Sequence, residues 1–210
     1  MKKNIILFII AMVIVYIFSS VEIIKGEDRT KDFQEELASK IVRFHIIANS
    51  DSKEDQELKL KVKDAVVTYT QKILKDSKSL DETCRIINGH TYEIISIANQ
   101  VINENGYDYE VSINYENCYF PAKSYGDITF PPGYYNAFNI RIGNHEGKNW
   151  WCVLYPPLCF VDAIHSVVPE ESKKELETIL GYEDYQALIY GINDDKYDVK
   201  IKFRFLTFLD

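Results

Sequence analysis

VRFHIIANSDSKEDQELKLKVKDAV, residues 42–66, changes its hydrophobic period once, and that change decides the fold. Val42 to Ala48 alternates and is rich in branched and aromatic side chains, the pattern of a strand. Asn49-Ser50-Asp51-Ser52 ends the strand and starts a helix. Beyond it Leu58, Val62, Ala65, Tyr69 and Ile73 recur every three or four positions, which gives the helix one apolar face. Asp55–Lys59 and Glu57–Lys61 stand acid-first at a spacing of four, a modest further support.

Downstream, Ser79-Leu80-Asp81-Glu82 is a capping box that opens a second helix. Its apolar face is Leu80, Cys84, Ile87, Thr91, Ile94, Ala98 and Val101, and Gly106 is the expected stop. From residue 107 the period falls to two. Tyr109 to Tyr115 alternates cleanly, and Cys118 to Ala122 reads as a short partner strand. Pro131-Pro132-Gly133 is a turn. Ala137 to Ile142 and Trp150 to Tyr155 read as two strands of a hairpin joined through residues 143–149. Glu170 to Leu180 is a further helix, and Tyr197 to Phe205 a last strand with one wet face. This order predicts an α+β fold: a single domain with helices on one face of a mainly antiparallel sheet.

Upstream, Met1-Lys2-Lys3 precedes an uncharged run from Asn4 to Val21. A positive start followed by an apolar stretch is the pattern of an export signal, cleaved or kept as an anchor. With Lys2 and Lys3 held inside by the positive-inside rule, everything after residue 26 is expected to be exported. The expected organisation is a signal or anchor over 1–26, a charged helical neck over 27–40, and one α+β domain over 41–210. Membrane contact is expected only through the first segment.

The net charge is −8, and the first 26 residues carry Lys2, Lys3 and Lys25 against Glu22, which leaves about −10 for the rest. Such an acidic domain argues against nucleic acid or anionic lipid as a partner, because both require basic patches.

NWWCVLYPPLCF, residues 149–160, holds both tryptophans and two of the four cysteines. In an exported protein, four cysteines suggest up to two disulfides. Cys152 and Cys159 flank Tyr155-Pro156-Pro157, whose bend brings the two ends together, so a local disulfide is expected there. Cys84 and Cys118 are either buried and reduced or bonded to each other. In a strand the neighbours Trp150 and Trp151 point to opposite faces. An outward tryptophan beside Tyr155, Pro156 and Pro157 would form an aromatic partner-binding surface; otherwise a helix or loop covers it.

The catalytic inventory is empty. Cys152 or Cys159 with His165 and Asp162 supplies the residue types of a nucleophilic site, without a signature around either cysteine. His45, His90, His145 and His165 are scattered without a ligand-spaced pair, so no metal is expected. Asp194-Asp195 reads as a solvated turn. No Gly-rich phosphate loop is present, and no cofactor is expected.

Residues 42–66, together with NWWCVLYPPLCFVD (149–162), resemble the stage II sporulation protein R family of endospore-forming bacteria. The resemblance implies a protein made in the forespore and exported into the space between the forespore and mother-cell membranes. There, family members activate a membrane-embedded aspartic protease, which removes the pro-sequence of sporulation sigma factor E. The family is a signal and not an enzyme, so no catalytic residue is carried over. The contrasting expectation is a secreted cell-wall hydrolase or a glycan-binding module using the Trp–Tyr surface.

Overall fold

The computed structural model describes residues 2–159, 168 and 170–190. Helix α1 (Lys2–Lys40) leads into strand β1 (Val42–Ile47), followed by helices α2 (Lys53–Leu74), α3 (Leu80–Gly89) and α4 (Thr91–Glu104). Strands β2 (Val111–Phe120), β3 (Lys123–Tyr125), β4 (Ile128–Phe130), β5 (Gly133–Ile142) and β6 (Asn149–Tyr155) come next, then helices α5 (Glu170–Leu180) and α6 (Tyr182–Tyr190). The main sheet has the order β2-β5-β1-β6, and β3-β4 form a separate hairpin. β1 runs parallel to β5 and antiparallel to β6, while β2 is antiparallel to β5. The fold is therefore α+β on a mainly antiparallel sheet, as its sequence pattern predicts.

Two cores lie on opposite faces of that sheet. Val42, Phe44 and Ile46 of β1 join Phe138, Ile140 and Ile142 of β5 beneath α2, α3 and α4. The other face packs Tyr135, Ala137, Phe120 and Val153 against Phe33 and Leu37 of α1, Ile128 and Phe130 of the hairpin, and Leu176, Leu180 and Leu188 of α5 and α6. Helices thus cover both faces, not one. The alternating residues of β1 are the reason for the difference: Arg43 and His45 have the chemistry of a wet face, yet both are buried.

The strands β5 and β6 do not pair with each other, so the expected hairpin is a correction: β1 lies between them. Their connection crosses the end of β1 and is held there by the backbone. Glu146 N–H donates to Asn49 O (3.1 Å) and Gly147 N–H to Ala48 O (3.0 Å). Asn49 Oδ1 accepts from Asn144 N–H (2.9 Å), and Asp51 Oδ1 from Lys148 N–H (2.7 Å). The stretch from Cys118 to Ala122 is not a partner strand: Cys118 to Phe120 is the end of β2 itself, whose whole length pairs with β5.

The second predicted helix is two helices. It breaks at His90, whose N–H caps α3 through Ile86 O and Ile87 O. The Ser79 cap stands, with Glu82 N–H donating to Ser79 Oγ (3.2 Å), but the reciprocal bond is shifted by one residue: Glu82 Oε2 accepts from Lys78 N–H (2.8 Å) rather than from the N–H of Ser79. On α2 the buried stripe runs through Leu58, Val62, Val66, Thr70 and Leu74, so beyond Val62 it follows a strict spacing of four. The expected side-chain pairs on α2 are replaced. Asp55 turns inward, Lys59 Nζ donates to Gln56 Oε1 (2.6 Å) and Lys148 O (3.0 Å), and Glu57 meets Lys53 (3.7 Å).

Among the described residues no helix is long and apolar enough to cross a membrane. In the first half of α1, Ile6, Phe8, Ile9, Met12, Val15 and Tyr16 are exposed, whereas Phe33 and Leu37 are buried. The last turns of the stretch read as a neck thus belong to the second core. Lys40 fastens that end of α1, donating to Glu36 Oε1 (2.9 Å), Leu180 O (2.9 Å) and Asp184 Oδ2 (3.0 Å). The strand expected over Tyr197–Phe205, together with Asp162, His165, Asp194 and Asp195, lies outside the described residues.

Candidate functional site

Cys152 and Cys159 are joined by a disulfide with 5.4 Å between their Cα atoms. The enclosed turn, with a cis peptide at Tyr155–Pro156, is also closed by its backbone: Leu158 and Cys159 N–H both donate to Val153 O, at 3.1 and 3.2 Å. Tyr155 is buried with its hydroxyl donating to Lys78 O (3.3 Å), and Pro156 is buried too. Trp150, Trp151 and Pro157 are half-buried. The tryptophans point to opposite faces, as alternation requires. Trp150 meets Phe44 edge-on at 6.1 Å, with Lys63 Nζ 5.8 Å from its ring centre. Trp151 stacks on His45 at 5.0 Å, with Lys123 Nζ at 5.9 Å.

Trp151 opens onto the chemistry-bearing part of the molecule. Strand alternation places Glu116 and Cys118 of β2, Asn139 and Arg141 of β5, Arg43 and His45 of β1, and Trp151 of β6 on one sheet face. Glu116 Oε1 accepts from Asn139 Nδ2 and Arg141 Nη2, each at 2.6 Å. The Asn139 hydrogen bond, with the Arg141 guanidinium, holds the Glu116 carboxyl below the usual range despite its partial burial. His45 Nε2 lies 3.6 Å from Cys118 Sγ. Burial, reinforced by the nearby Arg141 and Arg43 charges, lowers the His45 pKa to about 4 against the pull of Glu116. Burial, helped by Glu116, raises the Cys118 thiol to about 11. At neutral pH the pair is therefore a neutral imidazole beside a protonated thiol, not an activated nucleophile.

Arg43 is fully buried, and among the described residues it has no carboxylate partner. Its Nε donates to Cys152 O (3.1 Å) and Nη2 to Tyr125 Oη (3.3 Å). The guanidinium carbon lies 4.4, 5.2 and 5.0 Å from the ring centres of Phe120, Phe130 and Tyr135. These contacts clamp the β3–β4 hairpin to the sheet by cation–π attraction, which is strongest where water is excluded. Cys84 and Cys118 are both free and half-buried; Cys84 Sγ contacts Tyr115 Oη at 3.9 Å.

Sequence spacing did not find this cluster, because His45 and Cys118 are 73 residues apart and meet only through the strand order. A usable signal existed in β1, where Arg43 and His45 alternate with apolar residues in a strand too apolar at its ends to be an edge. His90 pairs with Tyr69 Oη (2.8 Å) and His145 lies in the crossing loop, so neither joins the cluster.

The fold and this face define an α+β domain built on a mixed sheet, with its polar chemistry gathered in one patch bordered by Trp151. The family model for Stage II sporulation protein R matches residues 38–165. Stage II sporulation protein R of Bacillus subtilis (strain 168) is 38% identical over 157 residues, covering 72% of this chain and 69% of that protein. No solved structure matches. The chain belongs to the Stage II sporulation protein R family, and the matched segment contains β1, the whole polar face and the disulfide turn.

Proposed function

We propose that the chain is an exported, non-enzymatic signal that activates a membrane-embedded aspartic protease, which then processes the pro-form of sporulation sigma factor E. The observation that carries this reading is the family match over residues 38–165. The uncharged run from Asn4 to Val21 behind Lys2 and Lys3 supports export from the forespore into the intermembrane space, and a disulfide suits that oxidising compartment.

Activation without chemistry requires the signal to bind the active state of the protease more tightly than the inactive one. Moving a two-state equilibrium from mostly inactive to mostly active takes about 5.5 kcal/mol of such preference. A few aromatic anchors supply that amount, and Trp150, Trp151 and Pro157 of the turn segment keep accessible surface. The test is made in sporulating cells lacking their own family member. The chain, made in the forespore, should restore removal of the sigma-factor pro-sequence. Unprocessed sigma factor alongside a folded, exported chain would refute the reading.

A further inference from the structure

Glu116 and Cys118 stand two apart on β2 and point to the same face. His45 lies two strands away, on β1, and must reach across β5 to meet them. The residue paired with both Arg43 and Glu116 on that intervening strand is Ala137, whose short side chain leaves the imidazole room to cross. One donor atom from each of His45, Glu116 and Cys118 then lies within 4.8 Å of the other two. The ring is held between Trp151, stacked at 5.0 Å with an 8° interplanar angle, and Phe120 at 5.2 Å.

A second observation marks the same place. Among the described residues, the buried side-chain atoms without a hydrogen-bond partner are Arg43 Nη1, His45 Nδ1, Asn139 Oδ1, Arg141 Nε and Asn149 Oδ1. Every one belongs to this face of the sheet. None of these atoms is itself a donor in the cluster; they mark the patch as polar and incompletely paired, which native proteins rarely leave in one place.

We propose that His45, Glu116 and Cys118 form a three-ligand site for a divalent transition metal of the zinc class. Imidazole nitrogen, thiolate and carboxylate are the zinc donor set, and the thiolate disfavours magnesium and calcium. Metal–ligand bonds of 2.0–2.3 Å in a tetrahedron put neighbouring donors about 3.3–3.8 Å apart. The 3.6 Å between His45 Nε2 and Cys118 Sγ already meets that spacing. A Glu116 carboxylate oxygen lies within 4.8 Å of both, so it closes to ligand spacing by a movement of at most about 1 Å. Both of its hydrogen bonds fall on Oε1, so Oε2 is the ligand atom while Asn139 and Arg141 orient the group from behind.

Binding displaces the Cys118 thiol proton to solvent. Thiolate and carboxylate together balance the two positive charges of the metal, so the complex is neutral beside Arg43 and Arg141. The Glu116 side chain is 35% exposed, so solvent reaches the cluster from that side. A loaded site would tie the edge strand β2 to the central strand β1.

The test uses the full chain with its disulfide closed, titrated with Co²⁺ and then Zn²⁺. Co²⁺ should bind at one ion per chain with a thiolate-to-metal charge-transfer band, and Zn²⁺ should bleach it. Cys118→Ser should abolish the band and Cys84→Ser should leave it unchanged. Glu116→Gln, a mild change at a partly exposed position, should weaken binding at least tenfold. No binding by the folded chain, or a band that survives Cys118→Ser, overturns the proposal.

Discussion

Replacing Asp55 by Asn probes the turn that joins β1 to α2 and supports the chain crossing from β5 to β6. The carboxylate is buried in the first turn of α2. Its Oδ2 accepts from Asn49 Nδ2 (2.8 Å) and Ser50 Oγ (2.5 Å), and its backbone N–H donates to Ser52 Oγ (3.1 Å). Burial alone would raise its pKa, but hydrogen bonds from Ser50, Asn49, Tyr109 and Ser52 outweigh burial and lower it. A hydrogen bond to an ionised acceptor contributes about 1.5–3 kcal/mol. Asn keeps one acceptor oxygen and escapes part of the desolvation cost, so the expected net loss is about 3 kcal/mol. For a domain of this size that lowers Tm by roughly 6–12 °C. The pH dependence has a definite sign. A carboxyl whose folded pKa is depressed contributes stability above its unfolded value of about 3.9, and loses it as pH falls through the folded value. Urea and thermal unfolding followed by circular dichroism, from pH 7 down to pH 2.5, should therefore give curves for the two proteins that converge in acid. Equal stability at pH 7, or a gap of constant size across the whole range, would refute the reasoning.

The double change Cys152→Ala/Cys159→Ala opens a loop of sequence separation 7. Loop-closure entropy then predicts a loss of about 2.5 kcal/mol with the fold retained, and native thiol labelling should find Cys84 and Cys118 but neither of the pair. Gly147→Ala drives a Cβ into the Ser50 carbonyl, which is backbone and cannot swing aside. It should cost about 1–3 kcal/mol in chemical denaturation, and a neutral result would mean the crossing loop is not held as described. Deleting residues 1–24 should leave a folded chain that does not signal, and an unrelated export signal should restore it; sigma-factor processing by the cytoplasmic form would contradict this. Trp151→Ala, at a half-buried position, should weaken protease activation with little change in the circular dichroism spectrum.

Much of the fold is legible in residues 42–66 and 79–115, because period and capping are local signals. The Ser79–Glu82 box, the helical stripe starting at Leu58 and the alternation of Val111, Ile113 and Tyr115 each need only their neighbours. What local reading misses is set by strand order. Inserting β1 between β5 and β6 turns an apparent hairpin into a crossing connection, and the polar tether that makes it so, Asn49 to Asn144 and Asp51 to Lys148, spans 95 and 97 residues. The β3–β4 hairpin was missed although its Gly126-Asp127 turn is present in the sequence; its strands are three residues each, too short to show a period. Arg43 and His45 look in sequence like the wet half of an alternating strand, whereas burial on both faces gives them separate tasks. The disulfide was legible, since two cysteines around a double proline need little tertiary information. The His45–Glu116–Cys118 cluster was not, since it exists only once β2, β5 and β1 are laid side by side.

The proposed role of this chain is activation by binding. Its most direct test is reconstitution: the membrane protease and pro-sigma factor in proteoliposomes, with the purified chain lacking residues 1–24 added to the extracytoplasmic side. Activation by binding predicts processing that depends on both the chain and an active protease, and that saturates at a fixed ratio of chain to protease. Processing that continues without an active protease, or that a small fraction of the chain sustains by turnover, would contradict it.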